Sequence, residues 1–124
     1  MFEDDYVMRI IHEMIRTVLK LLFNIDEKKE EVQIADEMVE QKKKHLLRLA
    51  DSGRINEAEN RLFSELNPGD LNQLQMGLLF FDYINDFSDE ALEQVHYTRE
   101  EIRLGVEALL KEYGYEGLSN MISM

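Results

Sequence analysis

The sequence predicts an all-α fold of five to six helices, stacked as antiparallel hairpins in a tetratricopeptide-like way. Three observations carry that expectation. Apolar residues recur three and four positions apart, which gathers them on one face of a helix. Glycine and the short polar residues punctuate those runs where helices would stop and restart. "LLFFDYI" alone could be a strand, but the length of its segment, Leu71 to about Asn85, and its cap argue for a buried helix, and no other segment argues for a strand.

The first helix is capped by Asp4 or Asp5 and runs to about Asn24. Val7, Ile11, Met14, Val18 and Leu21 follow a 4-3-4-3 spacing, and Ile10, Ile15 and Leu22 widen the stripe. Residues Asp26 to Glu31, "DEKKEE", read as a solvated turn or as the opening turn of the next helix. That second helix carries Val32, Ala35, Met38, Val39, Leu46 and Leu49 on one face. Lys42 interrupts it, either by snorkelling its ammonium to water or by marking the edge of the stripe.

In "DSGRINEAENRL" the helix breaks at Gly53, which takes the left-handed geometry that a Cβ makes costly. Asn56 with Glu59 is expected to cap the next helix, and Ala58, Leu62, Phe63 and Leu66 to bury its inner face. Asn67-Pro68-Gly69-Asp70 ends that helix, and Asp70 with Gln73 starts another. From Leu71 to about Asn85 the chain is apolar nearly all round, as a central helix would be. Ser88 caps a short helix, "DEALEQV". Thr98 and Glu101 form a capping box for the last long helix, with a hydrophobic staple from Tyr97 to Ile102. That helix buries Ile102, Val106, Leu109, Leu110 and Tyr113 and stops at Gly114. The tail from Tyr115 to Met124 has room for one more short helix.

Residues 46–70, "LLRLADSGRINEAENRLFSELNPGD", resemble one tetratricopeptide-type repeat. Gly53, Ala58 and Leu62 match that repeat in register, and Pro68 comes two residues early. An echo follows 33 residues on, with Ala91 and Val95 at the places of Ala58 and Leu62 and Asp86 where the turn glycine would stand. The repeat period in this class is about 34. The whole chain also resembles a family of small acidic bacterial proteins of unknown function. The resembling stretches are "MFEDDYVMRII", "SGRINEAEN" and "YTREEIRLGVEALLKEYG". That resemblance implies a helical, repeat-like fold and supplies no activity.

Residues 1–124 are expected to form a single helical domain. A domain of this size buries roughly two-thirds of its unfolded surface, and 44% hydrophobic residues suffice for a core. The absence of cysteine excludes disulfides, zinc–thiolate sites and thiol catalysis, and fits a cytoplasmic location. The longest apolar run, Met76 to Phe81, falls far short of the roughly 20 residues that span a bilayer. A net charge of −12 disfavours nucleic acid and anionic membranes as partners.

Candidate chemistry is sparse. Glu93-x-x-His96 has the spacing of a carboxylate–imidazole pair in helical di-iron proteins, but His12 and His45 follow Arg9 and Lys42, so the second pair is lacking. "HEMIR", residues 12–16, has Arg16 where a zinc protease needs histidine. Asp82, Asp86, Asp89, Glu90 and Glu93 lack the spacing of a calcium loop. No catalytic, metal or cofactor-binding residue is therefore assigned. The first helix is locally basic through Arg9, Arg16 and Lys20, so it could lie on a membrane surface or pair with a twin copy. The reading favours a non-enzymatic, cytoplasmic interaction module with a protein or peptide partner, and a homodimer is reasonable. The alternative is a metal-dependent enzyme using Glu93 and His96.

Overall fold

The structure, a computed structural model, describes residues 2–25 and 32–118, with the side chains of the first helix described from Asp5 onward. Six helices follow in order: α1 (Phe2–Phe23), α2 (Glu37–Asp51), α3 (Ile55–Ser64), α4 (Leu71–Asn85), α5 (Asp89–Gln94) and α6 (Arg99–Glu112). A further helical turn covers residues 116–118. Among the described residues there is no strand. The expected turn at Asp26 to Glu31 lies outside the described residues, as does the tail beyond 118.

Helix α4 is the axis of the molecule. Twelve of its fifteen residues are buried, and α1, α2 and α6 all lie against it. Leu74, Leu78, Phe80, Phe81 and Ile84 are fully enclosed. An apolar surface on every side of a helix demands neighbours on every side, and α4 has them. Two of its buried polar residues bond directly to α1. Asp82 faces His12 of α1 at 3.4 Å, and Asn85 donates to the Met8 carbonyl at 3.0 Å. No buried side-chain nitrogen or oxygen among the described residues lacks a partner.

Helices α4 and α6 run antiparallel in a register that can be read along their whole length. At one end the Tyr113 hydroxyl donates to the carbonyls of Asn67 and Asp70, both at 2.9 Å. In the middle Gly77 of α4 receives Leu109, and Gly105 of α6 receives the ring of Phe81. At the other end Arg99 reaches the carbonyls of Asn85 and Phe87 at 2.5 and 2.6 Å. The two glycines let each helix accept the other's large side chain. A Cβ on Gly105 would stand 2.5 Å from the Phe81 ring, whereas one on Gly77 would meet the tip of Leu109 at 2.6 Å. A leucine tip can change rotamer, but a fully buried ring cannot. Gly105→Ala is therefore expected to destabilise the protein by about 2 kcal/mol through overpacking, despite alanine's better helix propensity. Gly77→Ala should cost less, and paired thermal melts would show the order.

Helix α1 lies on α4 and α6, burying Ile11, Met14, Ile15, Val18 and Leu19. The middle of the expected stripe is thus covered by its own chain, while Leu21 near its end is 63% exposed. Helix α1 begins at Phe2, so Asp4 and Asp5 lie inside its first turn and do not precede it. It ends as expected, with Asn24 in the left-handed region at φ 55°.

The second helix starts later than the apolar pattern suggests. Asp36 caps α2 by accepting from the amides of Met38 and Val39. Val32 and Ala35 therefore precede the helix, and Met38 is 74% exposed. Val32 and Ile34 are buried all the same, because a pair of charged side chains anchors them. Glu40 accepts from the Ile34 amide at 3.0 Å, and Lys43 donates to the Val32 carbonyl at 3.2 Å. The two are 3.1 Å apart, and both are buried.

The turn at Gly53 has the expected form. Its φ is 84°, its amide bonds to the Ala50 carbonyl, and the Arg54 amide reaches back to Leu49. Asn56 does not cap α3. That helix starts at Ile55 without a side-chain cap, and Asn56 lies exposed in its first turn. Ile55, 1% exposed, is drawn into the core one residue after the turn, and the helix must begin with it. Asp70, Ser88 and Thr98 cap α4, α5 and α6 as expected. Gln73 reaches back beyond Asp70 and accepts from the Asn67 amide at 2.7 Å. Tyr97 and Ile102, the staple pair, are both buried.

Candidate functional site: a groove between three helices

Helices α2 and α3 form an antiparallel hairpin. His45 stands opposite Arg61, and Lys42 opposite Glu65. Helix α4 runs parallel to α2, with Tyr83 against Asp51 at 2.7 Å at one end and Met76 beside Leu46 further back. Where the three helices meet, they leave a groove of about 250 Å³. Leu46, Leu62 and Met76, all buried, form its floor. Lys42, His45, Arg61 and Glu65 form its rim, with Gln41 and Gln73 at the sides. Small-molecule sites run from about 300 Å³ upward, so this space suits one or two amino-acid side chains.

The rim is ordered by its own contacts. Lys42 and Glu65 are 3.6 Å apart, and both are substantially exposed. Lys42 thus marks the edge of the apolar stripe, one of its two expected roles. Arg61 donates to His45 Nε2 at 2.9 Å. A guanidinium only donates, so Nε2 accepts and the imidazole carries its proton on Nδ1. Gln73 uses its oxygen on the Asn67 amide, which leaves its NH₂ toward the groove.

The residues singled out for metal chemistry are not brought together. Helix α5 ends at Gln94, and His96 lies beyond it with φ 57°. Glu93 and His96 therefore do not share a helical face. Asp82 is buried against His12, Asp86 ends α4, and Asp89 pairs with Arg99 at 3.0 Å. Among the described residues no three His, Asp or Glu side chains are grouped as metal ligands would be. A larger recess of about 420 Å³ borders Asp89, Glu93, His96 and Arg99. Its best-placed charged groups, Arg99 and Asp89, already hold each other.

His96 occupies the place that glycine takes at the ends of α2 and α6. Its amide bonds to the Glu93 carbonyl, and the Tyr97 amide to Leu92. A residue with a Cβ pays about 1 kcal/mol or more in that conformation. His96→Gly is expected to raise stability by about 1 kcal/mol in denaturant titration. A loss of stability would mean that the imidazole makes a contact worth more than the strain.

A second polar feature joins α3 to α6. The buried Tyr97 hydroxyl donates to Glu59 at 2.9 Å. Burial pushes the Glu59 carboxyl above its ordinary range; the bond from Tyr97 opposes this and the nearby Glu101 charge adds to it. Stability from this group is therefore greatest below the ordinary carboxylate range and is lost as pH rises through the raised value. Burial also pushes the Tyr97 phenol up, with Glu59 adding to it.

These features define an acidic, all-helical protein with an apolar-based groove between α2, α3 and α4. The chain belongs to DUF6483, a family of unknown function, which it matches over residues 1–114, as far as the glycine that ends α6. No curated protein and no solved structure matches it. No described helix is long and apolar enough to cross a membrane.

Proposed function

We propose that this protein is a non-enzymatic interaction module that receives a segment of another protein in the groove between α2, α3 and α4. The observation that carries the reading is the groove itself, a space of about 250 Å³ between a hairpin and a third helix, with the buried Leu46, Leu62 and Met76 at its base and the side chains of Lys42, His45, Arg61 and Glu65 around its mouth. Grooves of this kind take the apolar side chains of a partner segment.

The tetratricopeptide-like resemblance supports it further. The α2–α3 hairpin turns at Gly53, and α2 and α4 run parallel with Asp51 and Tyr83, thirty-two residues apart, in contact. That offset is close to the repeat period of about 34. The helix that lies antiparallel on α4 is α6, however, and α5 is a six-residue insert between them. Helix α1, laid on both α4 and α6, adds a contact that a one-dimensional stack would lack. In this reading the module works in the cytoplasm, in keeping with a chain without cysteine. Most of the α1 stripe packs within the chain, so the proposal rests on the groove and not on an α1-mediated dimer.

The test is selection of a random displayed peptide library against the folded chain, followed by amide shift mapping with the selected peptides. Shifts are expected to cluster at residues 41–46, 61–65 and 73–76. If no sequence is enriched, or the shifts fall elsewhere, the groove is not the docking surface.

A further inference from the structure

We infer that the groove takes an acidic partner: a protein segment that sets one carboxylate against Arg61 and one apolar side chain into the groove, between the stems of Lys42 and Arg61 and above the buried Leu46, Leu62 and Met76. The inference rests on the interaction-module reading and adds the chemistry of the occupant.

The charges around the groove argue for it. Among its four rim residues, Glu65 is matched by Lys42. Arg61 has no such match. Its side chain bonds to His45, a neutral acceptor, and among the described residues no carboxylate lies within ion-pair distance of it. One N–H of a five-donor guanidinium is used, and the others remain for a ligand. The Gln73 NH₂ adds a neutral donor at the opposite wall. An exposed cation at the mouth of a groove with an apolar base and a neutral donor in its lining is complementary to a carboxylate next to an apolar side chain.

The chain's net charge of −12 does not oppose this. At physiological ionic strength charges are screened beyond about 8 Å, so the groove's own rim decides which sign it receives. A basic segment would meet Arg61 directly and would have to displace Lys42 from Glu65. A space of about 250 Å³ is of a size to receive one or two side chains of a partner segment.

The experiment uses the full chain and peptides from the displayed library, resynthesised in three forms with Glu, Gln or Lys at the charged position. The Glu form should bind about tenfold more tightly than the Lys form. Arg61→Glu, an exposed helix position, should keep the melting profile and reverse that order. Peptides that map to the groove yet bind equally well with Glu and Lys would overturn the acidic preference and leave the module reading standing. Equal affinities for Arg61→Glu and the parent would also overturn it. Should no peptide map to the groove, the module reading itself falls. A dimer in light scattering that Arg61→Glu dissolves would make the occupant a second copy of this chain, and would likewise overturn the proposal.

Discussion

Replacing Arg99 by alanine is expected to destabilise the protein by about 3–5 kcal/mol. The guanidinium is 5% exposed and sits where three segments converge: the end of α4, the loop to α5 and the start of α6. It donates to the Asn85 carbonyl and side chain, to the Phe87 carbonyl and to Asp89. Those carbonyls belong to the last residue of α4 and to Phe87, two residues beyond it, where the helix supplies no amide partners of its own. Without Arg99 they are left in a space that water reaches poorly, and each unmet group costs about 1–3 kcal/mol. Arg99→Lys should recover only part of the loss, since an ammonium cannot hold the fork geometry that spans Asn85, Phe87 and Asp89. Urea unfolding followed by circular dichroism would give the order parent, lysine, alanine. Equal midpoints for the parent and the alanine variant would show that the carbonyls find water, and that the junction does not depend on this side chain.

The second large effect is expected at Glu40. Glu40→Ala should cost about 3–5 kcal/mol, because it removes one member of a buried ion pair and leaves the Lys43 ammonium with only the Val32 carbonyl. It also strands the Ile34 amide. The consequence is local before it is global: the segment 32–34 should lose its protection from amide exchange ahead of α2. The double variant Glu40→Leu with Lys43→Met should be less damaged than the sum of the single ones, since it removes both charges together. Additive effects would show that the two side chains act independently, and that the Val32–Ile34 segment is held by its apolar contacts alone.

Much of the fold was legible because helix punctuation is a local property. Gly53, Asp70, Ser88, Thr98 and Gly114 act within a turn of their own positions, and the structure uses each as read. The misreadings came where tertiary contacts override local preference. Val32 and Ala35 fit a helical stripe by spacing, but they precede α2, and the segment around Val32 and Ile34 is held outside the helix by Glu40 and Lys43. Asn56 suits a cap by residue type, but burial of Ile55 moves the helix start ahead of it. His96 stands in a glycine's place without any sign in its neighbours.

The groove was less legible than the helices. Leu46 and Leu62 were visible as core residues, and Lys42 as the edge of a stripe. Nothing local says that His45 and Arg61 meet, that Gln73 turns its oxygen away, or that Met76 closes the floor. Such a site is built from three helices, and each contributes only two to four residues.

By itself the sequence determined that this chain is helical, where most of its helices stop, and that its surface carries excess negative charge. Those follow from hydrogen bonding and sterics within a few residues, and from counting. Only the tertiary structure decided which helix lies against which. Gly77 and Gly105 look like weak points in their helices until Leu109 and Phe81 are seen to fill the space they leave. Helix pairing depends on shape matching between residues far apart in the chain, and that information exists only once both surfaces are formed.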